Sequence, residues 1–422
     1  MPLGTEKCVI GRGTEADFRL DCSGVSRRHV ELYRQGPLFG VRDLDSTNGT
    51  FLNGQRLEAA AALSPNDVLR VGEAVAVIVS CEGDQPPGID RALPGLLFGP
   101  GMAEVRRTLS QVARGTLSVV LEGPTGCGKE GLAKLLHAES GRRGRLQAVN
   151  CAALPPALAE AELFGFRKGA FTGAEQPGLG HVRAAQGGTL FLDELYDLAR
   201  PVQAKLLRVI QEQQVIPLGE TRPIAVDFRL VVASPVPIAE LVSRGHLRED
   251  LAARLSGVVI SVPRLCERRA DIALLFAHFL DRYSGGRAPA VDARLLEQLV
   301  LADWPGNVRE LEQLTRRLLA LHGGEKVLRR SHWGVDVKIS QPPPSPAPAR
   351  PSSERASEDL ERLRAAFARH QNLARAAREA GISRQRAYRL LGDRPGSSLL
   401  DDEPPSLAPT QADSSGRGNT GS

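Results

Sequence analysis

The hydrophobic positions of the N-terminal segment occur in short runs that predict strands. Clusters of Gly, Asp, Asn and Ser separate the runs, a pattern typical of an all-β sandwich in which polar loops join short strands. We predict strands at residues 8–10, 29–33, 39–41, 50–52, 68–71 and 74–79. Residues 1–83 are therefore expected to form one all-β domain.

The pattern changes in a central stretch that begins at Leu117. An apolar run at 119–121 is followed by the glycine-rich loop 123–128 and then by leucines at helical spacing. Backbone N–H groups of such a loop and the positive end of the helix dipole can cradle phosphate oxygens, while Lys129 can reach the outer phosphates. Glu130 stands where a hydroxyl normally holds magnesium, so this stretch alone leaves a structural glycine turn open.

A second apolar run of the central segment, residues 189–192, ends in an acidic pair. Asp193 is placed to coordinate magnesium, and Glu194 to polarise an attacking water. The alternative is a buried strand followed by an ordinary acidic surface pair. The lysine-bearing loop upstream favours the nucleotide site.

The C-terminal segment begins with a stretch rich in Pro, Ser and Ala, residues 341–353, which predicts an extended linker. Apolar stripes at helical spacing then return on both sides of a Gly-bearing turn at 381–383, a pattern that predicts a helix-turn-helix. The alternative is an ordinary solvated helix face. The candidate DNA contacts are Arg384, Gln385, Arg386 and Arg389.

Composition limits these interpretations only mildly. A chain of 422 residues with 42% hydrophobic positions predicts roughly three globular domains. Because the formal net charge is only +5, DNA binding must depend on a local basic patch rather than on overall charge. The sequence shows no signal-like or membrane-length apolar run, so we expect a cytoplasmic protein. The six cysteines are scattered, which favours reduced thiols over a metal site or disulfides.

The polar loops of the N-terminal segment carry motifs in a specific order. They are Gly11-Arg12, Ser26-Arg27-Arg28-His29, Asp45-Ser46-Thr47-Asn48-Gly49-Thr50 and Asn53-Gly54. In order and spacing they resemble the forkhead-associated (FHA) domain. The resemblance implies phosphothreonine binding, with Arg12 and Ser26 on the phosphate, Arg27 beside them and Asn48 on the peptide backbone. A guanidinium and a hydroxyl on one phosphate make charge-assisted hydrogen bonds, whereas His29 is expected to be structural.

Between the glycine loop and the acidic pair, residues 169–174 read Gly-Ala-Phe-Thr-Gly-Ala. This motif resembles the signature of the sigma-54-dependent transcription activators, the bacterial enhancer-binding proteins of the AAA+ class. The similarity continues at residues 150–153, 206–212, 248–251 and 304–311. It implies an α/β P-loop ATPase with a helical lid, in which a glutamate after the loop lysine is usual.

This resemblance implies ATP and Mg2+ as ligands and assigns roles to single positions. Asn150 would restrain Glu194, while Arg248 and Arg254 would act as arginine fingers on a neighbouring subunit. The implied catalytic residues are Lys129, Asp193, Glu194, Asn150, Arg248, Arg254 and Arg309. The implied nucleotide-binding residues are Gly123, Pro124, Thr125, Gly126, Cys127, Gly128, Lys129, Glu130, Ser234 and Asp193, the last also as the magnesium ligand. The implied sigma-54 contacts are Gly169, Ala170, Phe171, Thr172, Gly173 and Ala174.

The chain departs from the family pattern at several positions. Ser234-Pro235 replaces the usual Thr-Asn after the sensor strand, so the amide expected to sense the γ-phosphate is absent. Phe166-Arg167 replaces the common His-Glu before the surface loop, and Pro124, Cys127 and Cys266 are further changes. Because none removes a reacting group, we expect an active ATPase and leave open whether these changes slow it.

Together these interpretations predict a multidomain transcriptional regulator. Its predicted segments are an FHA domain at 1–83, a linker at 84–94, an AAA+ core at 95–262, a helical lid at 263–333, a Pro-rich linker at 334–355, a Fis-type all-α helix-turn-helix at 356–393 and a disordered tail at 394–422. We expect a homo-oligomeric ring, a hexamer, that hydrolyses ATP to activate sigma-54 RNA polymerase at promoters with upstream DNA sites.

The FHA domain would place this activity under a phosphothreonine protein or a Ser/Thr protein kinase. No receiver-type domain precedes the ATPase segment, which argues against a histidine kinase. The alternative is a phosphopeptide-regulated DNA-binding protein with a non-hydrolysing AAA+ scaffold. A remodelling chaperone unrelated to transcription is disfavoured by the motif at 169–174 and by the predicted helix-turn-helix.

Overall fold

The computed structural model describes residues 7–35, 38–80, 89–93, 95–334 and 379. All of these residues except 379 lie within the first of two units of the chain, Met1–Ser345. The predicted helix-turn-helix and its candidate DNA contacts, Arg384, Gln385, Arg386 and Arg389, lie outside the described residues. The predicted tail and almost all of the Pro-rich linker lie outside them too.

The N-terminal part is a sandwich of two sheets. Its strands are β1 (Lys7–Gly11), β2 (Phe18–Arg19), β3 (Val30–Gln35), β4 (Leu38–Asp43), β5 (Thr50–Leu52), β6 (Gln55–Arg56), β7 (Ala61–Leu63), β8 (Val68–Val71) and β9 (Ala74–Val77). One sheet has the order β2-β1-β3-β4-β7 and the other β6-β5-β8-β9. Apart from the parallel contact of β1 with β2, neighbouring strands are antiparallel.

The six strands predicted from the sequence are confirmed, with ends that shift by one or two residues. The prediction missed β2 and β6, which are two residues long, and β7, whose Ala-Ala-Leu sequence lacks β-branched residues. Val30 and Val41 are fully buried between the sheets and are typical of the sandwich core. The alternation of inward apolar and outward polar residues explains why these short strands pair into two layers.

The central part begins with a hairpin and continues into an α/β layer. Its strands are β10 (Asp90–Leu93), β11 (Leu96–Phe98), β12 (Val119–Glu122), β13 (Leu146–Asn150), β14 (Gly188–Asp193), β15 (Gln214–Val215), β16 (Ile224–Ala225), β17 (Phe228–Ser234) and β18 (Val258–Ser261). Its helices are α1 (Ala103–Val112), α2 (Lys129–Glu139), α3 (Ala159–Phe164), α4 (His181–Ala184), α5 (Arg200–Glu212), α6 (Ile238–Ser243) and α7 (Glu249–Leu255). Short 3-10 turns occupy Pro100–Met102, Cys151–Ala153 and Leu195–Asp197.

The main sheet of this part is parallel, with the order β13-β14-β17-β12-β18. Its central strands are buried on both faces, which explains their nearly continuous apolar sequences. Leu109 and Leu135 pack on one face, and Leu163 and Leu206 pack on the other. The carboxyl ends of all five strands therefore meet at one edge, where the loops that carry chemistry converge.

The last described part is a helical lid. It contains α8 (Arg269–Ser284), β19 (Ala290–Val291), α9 (Ala293–Leu301), α10 (Asn307–His322) and β20 (Val327–Leu328), with 3-10 turns at Leu265–Glu267 and Arg330–Trp333. Trp304 and Trp333 stack in its core with ring centroids 5.5 Å apart. Val68 of the sandwich is fully buried in the same core, so the sandwich and the lid share apolar packing. Over the described part of the chain, every helix is too short or too polar to cross a membrane.

Candidate functional sites

The glycine loop joins β12 to α2 at the carboxyl edge of the parallel sheet. Gly126 needs its missing side chain, because a Cβ there would lie 2.3 Å from the carbonyl oxygen of Gly306 and its φ is +81°. Lys129 is nearly buried, and its Nζ donates hydrogen bonds to the carbonyl oxygens of Gly123 at 2.5 Å and Pro124 at 3.1 Å. A phosphate in the loop would offer this ammonium a charged acceptor in place of the two neutral ones.

Asp193 is the last residue of β14, and Glu194 follows it. In the sheet, only β17 separates β14 from β12, the strand that leads into the glycine loop. Burial raises the pKa of the Asp193 carboxyl, and the ammonium of Lys129 lowers it again in part. Glu194 adopts a left-handed backbone with φ of 54°, and its N–H donates to Asp193 Oδ1 at 3.1 Å. The carboxylate pair and the loop lysine predicted from the sequence are thus brought together at one edge of the sheet.

Asn150 and Ser234 end the strands that flank the site, β13 and β17. The Oδ1 of Asn150 accepts the N–H of Ala152 at 2.9 Å, so the described contacts do not join this amide to Glu194. Ser234 is almost completely buried, and its hydroxyl donates to the carbonyl oxygen of Val236. The serine hydroxyl thus stabilises its own turn.

Glu122 is a residue of this region that the sequence reasoning missed. It ends β12, immediately before the glycine loop, and its Oε1 accepts the N–H of Ile238 at 2.8 Å. The carboxylate thereby caps α6, the helix that follows the Ser234-Pro235 turn. The sequence signal for this residue was a carboxylate at the end of an otherwise apolar strand, directly before the glycine loop.

The lid is fastened to the glycine loop by direct hydrogen bonds. Asn307 Nδ2 donates to the carbonyl oxygen of Thr125 at 3.0 Å. The N–H of Val308 donates to the carbonyl oxygen of Gly126, also at 3.0 Å. The buried Arg268 donates through Nη2 to the carbonyl oxygen of Cys127 at 2.9 Å. These partners were not singled out in the sequence, because a contact between a loop and residues far along the chain leaves no local pattern.

The three arginines implied by the family resemblance lie at or near the surface. Arg309 is exposed in the first turn of α10, next to the lid residues that hold the loop. Arg248 precedes α7 and donates two hydrogen bonds to Asp250, at 3.0 and 2.7 Å. Arg254 is exposed near the end of the same helix. Arg248 and Arg254 thus lie at the two ends of one short helix, α7, and neither is buried.

The motif at 169–174 forms a surface loop. The N–H of Gly169 donates to the carbonyl oxygen of Ala174 at 2.8 Å, which closes the base of the loop. Phe171 is half-buried because its ring packs on Phe166, with centroids 5.0 Å apart, while Thr172 is exposed. Phe166 belongs to the Phe-Arg pair that departs from the family pattern, so the departure supplies the aromatic surface on which the tip rests.

The candidate phosphothreonine residues lie on loops that the sandwich holds together. The N–H of Arg12 donates to the carbonyl oxygen of Ser26 at 3.0 Å, which fixes the first loop against the second. The third loop joins them because the N–H of Thr47 donates to Ser26 Oγ at 3.1 Å. Asn48 Nδ2 donates to the carbonyl oxygen of Gly24 at 2.9 Å, and Arg27 is exposed beside Ser26. All four predicted residues therefore converge on one end of the sandwich.

His29 supports these loops from below. It is fully buried, and its Nδ1 accepts the N–H of Ser26 at 3.0 Å while Nε2 lies 3.3 Å from the carbonyl oxygen of Gly49. Burial lowers the pKa of the imidazole, so the neutral ring is favoured. These contacts agree with the structural role that the sequence suggested.

A polar recess adjoins the phosphothreonine loops. It has a volume of about 860 Å³. Its lining residues are Arg42, Asp43, Leu44, Asp45, Ser46, Arg56, Leu57, Glu58, Ala59 and Ala60. Arg56 was missed by the sequence reasoning. Its guanidinium lies close to Gly49, where an added Cβ would approach Arg56 Nε to 2.6 Å.

One group of potential metal ligands occurs among the described residues, formed by His322, Glu325 and His332. The two imidazoles stack with centroids 4.1 Å apart, and each has a nitrogen 3.3 Å from the Glu325 carboxylate. The Nδ1 of His332 accepts the N–H of Arg329 at 3.2 Å, which leaves the proton of a neutral ring on the nitrogen that faces Glu325. The arrangement therefore favours a hydrogen-bonded cluster over metal ligation.

Comparison with known proteins agrees with this geometry. Residues 98–261 match the family model of the sigma-54 interaction domain, residues 8–72 that of the FHA domain and residues 266–347 that of the AAA+ ATPase lid domain. The chain is similar to DctD of Rhizobium meliloti, a C4-dicarboxylate transport transcriptional regulatory protein, with 45% identity over 54% of this chain and 50% of DctD. It spans about half the length of that relative.

Two further similarities cover more of both chains. The transcriptional regulatory protein ZraR of Klebsiella oxytoca is 40% identical over 69% of this chain and 68% of ZraR. The crystal structure of NtrX from Brucella abortus in complex with ATP superposes with a TM-score of 0.51 and 30% identity, over 71% of this chain and 68% of NtrX. With its sigma-54 interaction domain, lid and regulator-like sequence, the chain belongs to the family of sigma-54-interacting AAA+ transcriptional regulators.

Proposed function

We propose that this protein hydrolyses ATP in a homo-oligomeric ring to activate sigma-54 RNA polymerase, under the control of a phosphothreonine-bearing partner. The observation that carries the proposal is the joint position of Lys129, Asp193 and Glu194 at one edge of the parallel sheet. A phosphate-holding lysine beside two carboxylates suits phosphoryl transfer to water.

The site fits ATP and Mg2+. Gly128 leaves open space at the start of α2, where backbone N–H groups and the helix dipole favour a phosphate. Burial raises the pKa of the Asp193 carboxyl, and a divalent cation at its oxygens would favour the charged form. Magnesium bound there would neutralise charge on the phosphates, and Lys129 would orient the outer ones.

Glu194 is the base for the attacking water in this proposal. Its left-handed backbone turns the residue away from the direction of β14, immediately after the magnesium ligand. Arg248 and Arg254 would reach the γ-phosphate of a neighbouring subunit and spread the charge of the transition state. Arg309, next to the lid contacts of the glycine loop, would act on the nucleotide of its own subunit.

The remaining segments supply targets for this chemistry. Phe171 and Thr172 lie on the exposed loop that we assign to sigma-54, and Gly169 and Gly173 have open space around them in which the loop can bend. Arg12, Ser26, Arg27 and Asn48 would hold the phosphothreonine of a target of a Ser/Thr kinase. The C-terminal residues 356–393 would bind upstream DNA.

A direct test combines hydrolysis with promoter opening. The full chain should hydrolyse ATP and open a sigma-54 promoter complex, and Glu194→Gln should lose both by about 100-fold or more while still binding ATP. Thr172→Ala should lose promoter opening but keep hydrolysis. Hydrolysis at the parent rate in Glu194→Gln would contradict the assignment.

The second candidate function is a DNA-binding protein with a non-hydrolysing AAA+ scaffold. The observation that favours it concerns Ser234, which precedes Pro235. Its hydroxyl is buried and donates to the carbonyl oxygen of Val236 instead of facing an open site. A parent protein that binds ATP and DNA without measurable hydrolysis in the assembled state would support this function over the first.

A further inference from the structure

The sandwich is packed against the lid through an apolar contact. Val68 of β8 is fully buried among lid residues, and Val75 and Val77 of β9 pack against the same core. A Cβ on Gly54 would come within 3.3 Å of Leu301 at the end of α9, so the backbone of the sandwich closely approaches that helix. The lid core is therefore complete only with β8 and β9 in place.

Polar contacts at the same interface fix the orientation of the two parts. Arg70 Nε donates to Glu297 Oε2 at 2.7 Å, and the side chains are only 12% and 10% exposed. Asn66 Nδ2 donates to the carbonyl oxygen of Glu267 at 2.8 Å. In the other direction, Arg269 Nη1 donates to the backbone carbonyl oxygen of Asn66 at 3.3 Å. A nearly buried ion pair is costly to break, because separating it leaves a charge without its partner.

The lid residues that touch the sandwich adjoin those that hold the glycine loop. Arg269 contacts Asn66, and its neighbour Arg268 donates to the carbonyl oxygen of Cys127 in the loop. The N–H of Leu265, at the start of the same turn as Glu267, donates to Asn307, which itself holds the loop. One short segment of the lid therefore contacts the sandwich and the nucleotide loop together.

On the sandwich side, the ion pair lies next to the phosphothreonine loops. The guanidinium of Arg70 lies 3.8 Å from the ring centroid of Phe51, its partner across the antiparallel pair β5–β8. Strand β5 continues directly from Asn48 and Gly49, and Thr50 donates to Asp43 at 2.5 Å. The strand that leaves the third phosphothreonine loop thus carries the aromatic ring that covers Arg70.

We propose that the sandwich–lid contact couples the two phosphate sites, so that a phosphothreonine ligand and a nucleotide each strengthen the binding of the other. The inference rests on the proposed function of both sites. A ligand on the Asn48 loop stabilises the position of β5, whose Phe51 covers Arg70, and so favours the docked sandwich. A docked sandwich in turn holds the lid against the glycine loop. Because the lid is then already held in place, nucleotide binding loses less conformational entropy and becomes tighter. The effect on the two affinities must be reciprocal.

The test uses the full chain, fluorescently labelled ADP and a pool of phosphothreonine peptides with random flanking residues. The matching unphosphorylated pool is the control. Saturating phosphorylated peptide should lower the ADP dissociation constant by about fivefold or more. Arg70→Glu should abolish this change, and the double variant Arg70→Glu/Glu297→Arg should restore it. Arg19→Glu, which breaks the exposed pair with Asp21 inside the sandwich, should leave the coupling intact.

Several results would overturn the coupling. They are an ADP affinity that is unchanged or weakened by the phosphorylated pool in the parent, and a coupling that survives Arg70→Glu. Glu297→Gln keeps the side-chain shape and provides a second test if Arg70→Glu misfolds. Failure of the proposed function is visible separately, because peptide and ADP are each also titrated alone. Protection of residues 66–70 from hydrogen exchange by ADP without peptide is a further expected result, and its absence would contradict the model.

Discussion

The loops proposed for phosphothreonine and the glycine loop proposed for the nucleotide are kept in shape by different contacts. In the sandwich, the N–H of Thr47 donates to Ser26 Oγ, and the N–H of Ser26 donates to His29 Nδ1. All of these contacts lie within one domain. The nucleotide loop instead depends on strands of the parallel sheet and on Asn307 and Val308 of the lid. The first site is held by contacts within one domain, whereas the second also depends on contacts with the lid. The shape of the glycine loop is therefore tied to the position of the lid.

The largest expected effect is at the nucleotide loop. Lys129→Ala should weaken ATP binding by about 100-fold, because a buried ammonium that contacts phosphate contributes as a charged hydrogen-bond partner. Titration with labelled ATP measures the change. Lys134→Ala is the matched control, since that exposed lysine on the same helix pairs with Glu130. Equal losses in the two variants would show that general charge, not loop geometry, holds the nucleotide.

A somewhat smaller loss is expected at the phosphothreonine loops. Arg12→Ala should reduce affinity for phosphothreonine peptides by about 30-fold, the effect of one charge-assisted contact. Fluorescence anisotropy with the phosphorylated peptide pool measures it. Arg19→Ala removes a comparable exposed arginine next to Asp21 and should have little effect. An unchanged affinity in Arg12→Ala would remove this loop cluster as the phosphate site.

The contact between the two regions should respond to a cavity. Val68→Ala should destabilise the protein by about 2 kcal/mol, because Val68 is fully buried in the lid core. Hydrogen exchange in Ala293–Leu301 should quicken as well. Val41→Ala makes a comparable cavity inside the sandwich alone and should leave exchange in that helix unchanged. Similar exchange in both variants would argue that the lid does not depend on the sandwich.

The smallest effect concerns the pH dependence of stability. Because burial raises the pKa of Asp193 in the folded protein, the folded state holds this proton more tightly than the unfolded state. The carboxylate is then destabilising at neutral pH, and its unfavourable contribution disappears as pH falls below the ordinary range of aspartate. Asp193→Asn without nucleotide should raise the melting temperature by about 2 °C at pH 7 and by less at pH 4. A lower melting temperature at pH 7 would show that Asp193 stabilises the empty fold.

Local patterns in the sequence were sufficient to place several candidate residues on the fold. The apolar runs before Asp193 and before the glycine loop predicted strands, and Asp193 does end β14 while the loop that leads to Lys129 follows β12. The resemblance of the polar loop motifs to the FHA domain implied that Arg12 and Ser26 lie close together, and the structure shows their loops in contact. These features are encoded within a few consecutive residues, where strand periodicity and turn chemistry act.

Features that depend on distant parts of the chain were not predicted. Asn307 reaches Thr125 and Arg70 reaches Glu297 across long stretches of sequence, and no periodicity reports such partners. Ser234 stays a predicted nucleotide residue, and no pattern in the sequence indicated that its hydroxyl donates to the carbonyl oxygen of Val236, two residues along the chain. Contacts of this kind depend on tertiary packing, which local sequence patterns do not report.

The burial of Val68 in the lid core has a practical consequence. A shortened protein that starts after the sandwich would expose apolar surface from the lid helices α8 and α9, so its behaviour would not report that of the same residues in the full chain. For the same reason, we expect that the N-terminal sandwich cannot be exchanged for another domain without a matching change on the lid.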